Sequence, residues 1–282
     1  MAKCHVCYRH CDPAEGALGF CGGRIAKNNT TIAYNYGKIT SLALDPIEKK
    51  PLARFMTGSY ILSVGSFGCN LRCPFCQNYE ISWSEESKRF AEQAESLTPE
   101  ELVQIALDTR DRGNIGIAFT YNEPLIGYEY VRDTAKLGKA HGLKNVLVTN
   151  GTAELSVLSE LSPYIDAMNI DLKGFTDAYY SKVLGGCRQQ VIRFIEEAVK
   201  TAHVELTTLI VPGENDREEE VRELARWVGT FKNPDGQGVP LHITRFFPGF
   251  HMTDRNATDV QAVYHLADVA GEYVEYVFVG NC

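Results

Sequence analysis

The chain has 282 residues, 28 of them basic and 36 acidic, for a net charge of −8. That length suits one barrel of alternating strands and helices with a substantial buried core. An acidic chain without a lysine–arginine block offers no electrostatic footprint for duplex nucleic acid, so none is expected as a partner. The opening Met1-Ala2-Lys3-Cys4-His5 lacks the apolar core of a signal peptide, and no run approaches the roughly 20 apolar residues that span a bilayer. A cytoplasmic protein with no membrane partner is expected.

Residues 1–25 are rich in Cys and Gly and read as a small metal-stapled module. Nine cysteines without an export signal point to metal sites rather than disulfides. Cys4, Cys7, Cys11 and Cys21 supply the four thiolates of a closed site, for zinc or for a second iron–sulfur cluster. His5 and His10 lie close enough to replace a thiolate. Residues 26–59 read as an irregular connector across the main domain, with one strand pattern, Thr31 to Tyr36, and proline breaks at Pro46 and Pro51.

From residue 60 to 282 strands and helices alternate. Apolar, β-branched or aromatic runs predict strands at Ile61–Val64, Ile115–Thr120, Asn145–Thr149, Ala167–Asp171, Val204–Val211, Leu241–Phe246 and Tyr273–Val279. Thr98-Pro99-Glu100-Glu101 opens a helix with an N-cap, a first-turn proline and a capping-box glutamate. Asp216 with Glu219 repeats that logic, with Val221, Leu224, Ala225 and Val228 as the buried stripe. The acidic run Glu218–Glu220 reads as a solvated first turn that favours the helix dipole. Such alternation gives a parallel sheet curled into a full or partial barrel, whose chemistry sits at the carboxyl ends of the strands.

The first strand ends at Gly68-Cys69-Asn70-Leu71-Arg72-Cys73-Pro74-Phe75-Cys76, where Cys69, Cys73 and Cys76 are spaced C-x3-C-x2-C. A cubane takes four ligands, so three thiolates leave one iron open to chelate a small molecule. A zinc knuckle or unligated thiols is the lesser, competing reading of the loop alone. The following strands end at Tyr121-Asn122-Glu123-Pro124, Thr149-Asn150-Gly151, Asp171-Leu172-Lys173 and Val211-Pro212-Gly213. Glu123 is an acid able to accept from a cationic amine, although a Glu-Pro turn is usually only a turn. Asp171 and Lys173 form an inward acid–base pair, costly to bury without a polar ligand. His242 and Arg245 bring basic groups to the sixth strand, where a structural role is an equal reading. Cys187 and Cys282 are taken as unligated thiols, Cys282 becoming a ligand only if the carboxyl terminus folds back.

The cysteine spacing with its aromatic Phe75 resembles the signature of the radical S-adenosylmethionine (radical SAM) superfamily. The series of strand ends is similar to activating enzymes of the pyruvate formate-lyase kind. More narrowly, Pro46-Ile47-Glu48-Lys49-Lys50-Pro51-Leu52, Phe75-Cys76-Gln77-Asn78 and the amino-terminal cysteines resemble the radical SAM proteins of the AmmeMemoRadiSam system. The resemblance implies a partial (β/α)6 barrel. It implies a [4Fe–4S] cluster on Cys69, Cys73 and Cys76, whose open iron chelates S-adenosylmethionine (SAM). Phe75 would then lie by the adenine, Glu123 would bind the methionyl ammonium, and Asn150, Asp171 and Lys173 would meet the ribose and carboxylate. Ile210 would pack on adenine. It further implies an oxygen-sensitive oxidoreductase, acting anaerobically, with a flavodoxin- or ferredoxin-like electron donor and a protein, peptide or small-molecule substrate. Val148 stands where pyruvate formate-lyase activators carry an acid, and Phe246-Phe247-Pro248 lacks their histidine, which weakens a glycyl radical enzyme as substrate. The competing readings are a zinc or iron–sulfur module without catalysis, and a SAM-dependent RNA- or peptide-modification enzyme.

Overall fold

Seven parallel strands form the frame of this computed structural model, which describes residues 2–282; Met1, in the expected amino-terminal module, lies outside them. The chain opens with a hairpin of β1 (Arg24–Lys27) and β2 (Thr30–Ala33). Asn28 and Asn29 turn it with left-handed φ values of 53° and 58°, the conformation a two-residue hairpin loop requires. Short β3 (Lys38–Ile39) pairs with β6 (Glu95–Ser96), and β4 (Ser41–Pro46) runs antiparallel to β5 (Tyr60–Gly65). The connector thus holds strands that its sequence pattern hides. β4 alternates poorly in polarity because it is an edge, half covered on both faces.

The parallel series continues as β7 (Asn114–Phe119), β8 (Lys144–Thr149), β9 (Ala167–Asp171), β10 (His203–Ile210), β11 (Leu241–Arg245) and β12 (Val277–Gly280). The sheet order is β12-β11-β10-β9-β8-β7-β5-β4, an open α/β barrel whose edges are β4 and β12. Every expected strand is present, although β12 starts later than Tyr273. There Tyr273 and Val274 instead close the last turn of the preceding helix, both amides donating to the Ala270 carbonyl.

Two apolar cores result. The larger lies between the sheet and its helices. The smaller fills the lower barrel, where Ile47 and Leu52 of the connector pack on Ile61, Ala118, Val146 and Ala167. The small side chains of β7 and β9 make room for this inserted strap. Polar bonds pin it: Asn169 Nδ2 donates to the Pro51 carbonyl at 2.8 Å, and the Glu205 carboxylate accepts the amides of Ala53 and Arg54.

The helix Pro99–Asp108 carries the complete capping box of Thr98 and Glu101. The capping reading of Asp216 is corrected: its carboxylate accepts the Gly213 amide, and the helix starts at Glu218 with no side-chain cap. Glu220 is not solvated either. It is buried and accepts the Phe175 amide at 2.8 Å, because its helix leans on the loop after β9.

Candidate functional site

β5 delivers the chain into the cysteine loop, and that loop is held from three sides. Gly68 has φ 92°, and a Cβ there would lie 2.6 Å from the Cys21 carbonyl oxygen, so only glycine fits. Asn122 Nδ2 donates to the carbonyls of Phe67 and Gly68, and the Glu123 amide donates to Gly68 as well. Tyr121, beside them, is itself held at φ 71°, a costly conformation for a tyrosine that the surrounding bonds impose.

Cys69, Cys73 and Cys76 line one cavity of about 290 Å³ with Phe75, Glu123, Asn150, Asp171 and Lys173. Strands far apart in sequence bring these groups together because their carboxyl ends share one rim. Glu123 is buried and accepts three bonds: from Thr149 Oγ1 at 2.7 Å, the Leu125 amide at 3.0 Å and the Asn150 amide at 2.8 Å. Three of about four lone-pair positions are therefore used, leaving one for a ligand. Burial pushes this carboxyl up to about 7, against the pull of those donors. Lys173 Nζ stands 2.8 Å from Asp171 Oδ2, both partly open to the cavity. Burial works against the Lys173 charge, but the Asp171 carboxylate beside it outweighs this and holds the amine firmly protonated.

Burial pushes the three thiols up, Cys73 to about 11, so they await a cation able to deprotonate them. The Leu71 amide lies 3.4 Å from Cys69 Sγ and Asn150 Nδ2 3.8 Å from it. Three thiols on one side of a roomy cavity, with amide donors behind them and polar groups across it, fit a cubane with one uncommitted iron.

Some expectations move. Ile210 does not line the cavity; it is fully buried on the other face of β10, and Leu209 takes the place across from the cysteines. His242 sits a layer below, its Nε2 2.7 Å from Glu205, and the Arg245 guanidinium stacks on Phe247 and bonds the Thr258 carbonyl. Both therefore hold the barrel together away from the lining. Cys187 precedes the helix Arg188–Ala198, outside the cavity. The chain does fold back at its end: Asn281 joins the lining, while Cys282 is exposed. Gln77, Asn78, Pro51, Thr207 and Thr244 also face the cavity, unforeseen from the sequence. The strand alternation that puts Asp171 inward puts Thr207, Leu209 and Thr244 inward too, and was a usable signal.

Cys4, Cys7, Cys11 and Cys21 line a second, small cavity together. His5 and His10 do not border it, and His10 pairs with Glu154 at 3.2 Å.

The model of the radical SAM superfamily matches residues 63–228. The chain belongs to the radical SAM superfamily. It is 38% identical to an uncharacterized protein of Methanocaldococcus jannaschii, over 99% of this chain and 81% of that one. It is 28% identical to the pyruvate formate-lyase-activating enzyme of Clostridium pasteurianum, over 62% of this chain and 72% of that one. The fold is similar to QueE from Escherichia coli, with a TM-score of 0.53 at 13% identity, covering 86% of this chain and 92% of that one. The protein is thus an activating-enzyme-like radical SAM enzyme, and its cofactors are a [4Fe–4S] cluster and SAM. Its chemistry is the radical cleavage of SAM. Among the described residues no helix is long and apolar enough to cross a membrane.

Proposed function

We propose that the chain forms a 5′-deoxyadenosyl radical and uses it to take a hydrogen from a protein, peptide or small-molecule substrate. The observation that carries this reading is the meeting of three thiols, an isolated carboxylate and an acid–base pair around one cavity. When bound, the cluster supplies one low-potential electron to the SAM sulfonium.

The residues do the rest. Cys69, Cys73 and Cys76 would hold the cluster at the cavity they line. Glu123, with its free lone-pair position, receives the methionyl ammonium. Lys173 meets the carboxylate, while Asp171 and Asn150 accept from or donate to the ribose. Phe75, buried and edge-on to Phe246 at 6.1 Å, offers a fixed wall for adenine, with Leu209 opposite. The strap at Pro51 closes the floor and excludes water from below. Residues 1–25 act as a metal module, 26–59 as the strap-bearing connector, and 60–282 as the catalytic barrel. The electron comes from a flavodoxin- or ferredoxin-like carrier, and the cytoplasm is the expected compartment.

Anaerobic reconstitution with iron and sulfide, followed by dithionite and SAM, should yield 5′-deoxyadenosine and methionine. Chromatography of the quenched reaction measures both. A fully loaded cluster that leaves SAM intact would remove this reading.

A further inference from the structure

The strap buries a lysine that does not itself border the cavity. Lys50 is only 3% exposed and follows the short turn Ile47–Lys49, its amide donating to the Ile47 carbonyl. Its Nζ stands 2.9 Å from Asp45 Oδ2 on β4. The Tyr121 hydroxyl donates to that same oxygen at 2.9 Å, and the Lys50 charge lies 4.8 Å from the centre of the tyrosine ring. Burial would raise the Asp45 carboxyl, but the lysine and tyrosine bonds outweigh it and hold it down to about 2. Burial and Asp45 push the Tyr121 hydroxyl up to about 12, so it remains a donor at neutral pH.

Tyr121 is where this ion pair meets the cavity, whose lining it joins. Its φ of 71° persists only because neighbours enforce it. A Cβ at Gly65 would come within 2.8 Å of the tyrosine ring, so only a glycine lets the ring lie there. The Tyr121 carbonyl accepts Asn78 Nδ2 at 2.8 Å, two residues past Cys76, and Glu123 follows two residues on. We propose that Lys50 and Asp45 are positioning residues. By pinning the Tyr121 hydroxyl they fix its left-handed turn, and so aim Glu123 and Asn78 at the cofactor. This rests on the reading of Glu123 as the partner of the methionyl ammonium.

A largely buried ion pair is a poor way to gain stability, because desolvation consumes most of its attraction and an apolar pair often does as well. It is a good way to fix a direction. A carboxylate oxygen shared by an ammonium and a phenol leaves the phenol few orientations, since charge-assisted bonds are short and directional. An apolar contact in the same place would let the ring slide, and the strained turn could relax. The edge strand, the strap and the rim therefore meet at one oxygen atom. Pro51, next to Lys50, borders the same cavity, so the strap reaches the cofactor site through neighbouring residues.

The test compares the native full chain with Lys50→Met, Tyr121→Phe, Glu123→Gln and the two doubles that add Glu123→Gln to each of the others. All are reconstituted anaerobically with iron and sulfide. Calorimetry gives the SAM dissociation constant, electron paramagnetic resonance the change that SAM imposes on the reduced cluster, and urea the unfolding midpoint. Losing one link of the line Lys50–Asp45–Tyr121 should weaken SAM about fivefold in Lys50→Met and in Tyr121→Phe. The resonance at saturating SAM should differ from the native one, which a merely structural role would leave alone. In the Glu123→Gln background each change should cost less than about twofold more, since the residues act through one contact. An equal loss in both backgrounds overturns the proposal, as does a lowered urea midpoint with native SAM affinity. Should Lys50→Met not fold, Tyr121→Phe, which keeps the ion pair, decides by the same comparison. A Glu123→Gln variant that binds SAM as tightly as the native chain overturns the reading of the site and this proposal together. Weakened SAM in Glu123→Gln beside native affinity in Lys50→Met and Tyr121→Phe overturns this proposal alone.

Discussion

Glu123 shows how one side chain can be prepared for a cationic ligand. Its three protein donors hold the carboxylate in place, yet burial keeps its pKa near about 7. An ammonium binds the ionised form, so SAM affinity should fall as pH drops below 7. The expected loss is about fivefold between pH 7 and 6, approaching tenfold per unit below that, since protonation competes with the ligand. Titrations of the reconstituted enzyme at each pH would show it. Glu123→Gln should bind SAM at least about tenfold more weakly, as lost charge-assisted bonds imply, and with a flat profile. Lys173, whose charge is held firmly by Asp171, should add no slope in that range.

At the scale of elements, the strap between β4 and β5 is the part most easily overlooked. Its anchor is Glu205, which takes amides from Ala53 and Arg54 and ring nitrogens from His203 and His242. Burial raises this carboxyl, but those bonds outweigh it and hold the group down to about 2. A depressed carboxyl contributes stability above its unfolded value of about 4.5, lost as pH falls toward 2. Glu205→Gln should therefore cost about 3 kcal/mol at neutral pH, and flatten the acid limb of the stability curve between pH 4.5 and 2. Urea unfolding across that range measures both. Leu52→Ala, in the same strap, opens a cavity in the smaller core. It should cost about 2–4 kcal/mol and slow SAM cleavage, because Pro51 next to it floors the cavity.

Across the whole molecule, the parallel strands point their carboxyl ends at one rim, and the amino-terminal module leans on that rim where the Cys21 carbonyl accepts the Cys69 amide. Ligand binding at the rim should accordingly stabilise the entire chain. SAM at 100 times its dissociation constant adds about 2.7 kcal/mol by mass action, which in a chain of this size raises Tm by roughly 5 °C. Anaerobic calorimetry of the loaded protein should record that rise, and the Cys69→Ser/Cys73→Ser/Cys76→Ser variant should show none.

Much of this was readable before any coordinates. The C-x3-C-x2-C spacing, the strand–helix alternation and the Thr98–Glu101 capping box are local patterns, and local sterics and hydrogen bonding determine them. The same short range explains what the sequence left open. Whether Ile210 or Leu209 faces the cavity depends on the pleat of β10 within its sheet. That Glu220 is buried and Glu205 anchors a strap depends on partners roughly 45 and 150 residues away, which no local pattern announces. The edge strand β4, the return of Asn281 to the rim and the contact of Cys21 with Cys69 between two cysteine sets arise only once distant segments pack. Side-chain chemistry is written residue by residue, whereas proximity is a property of the folded chain.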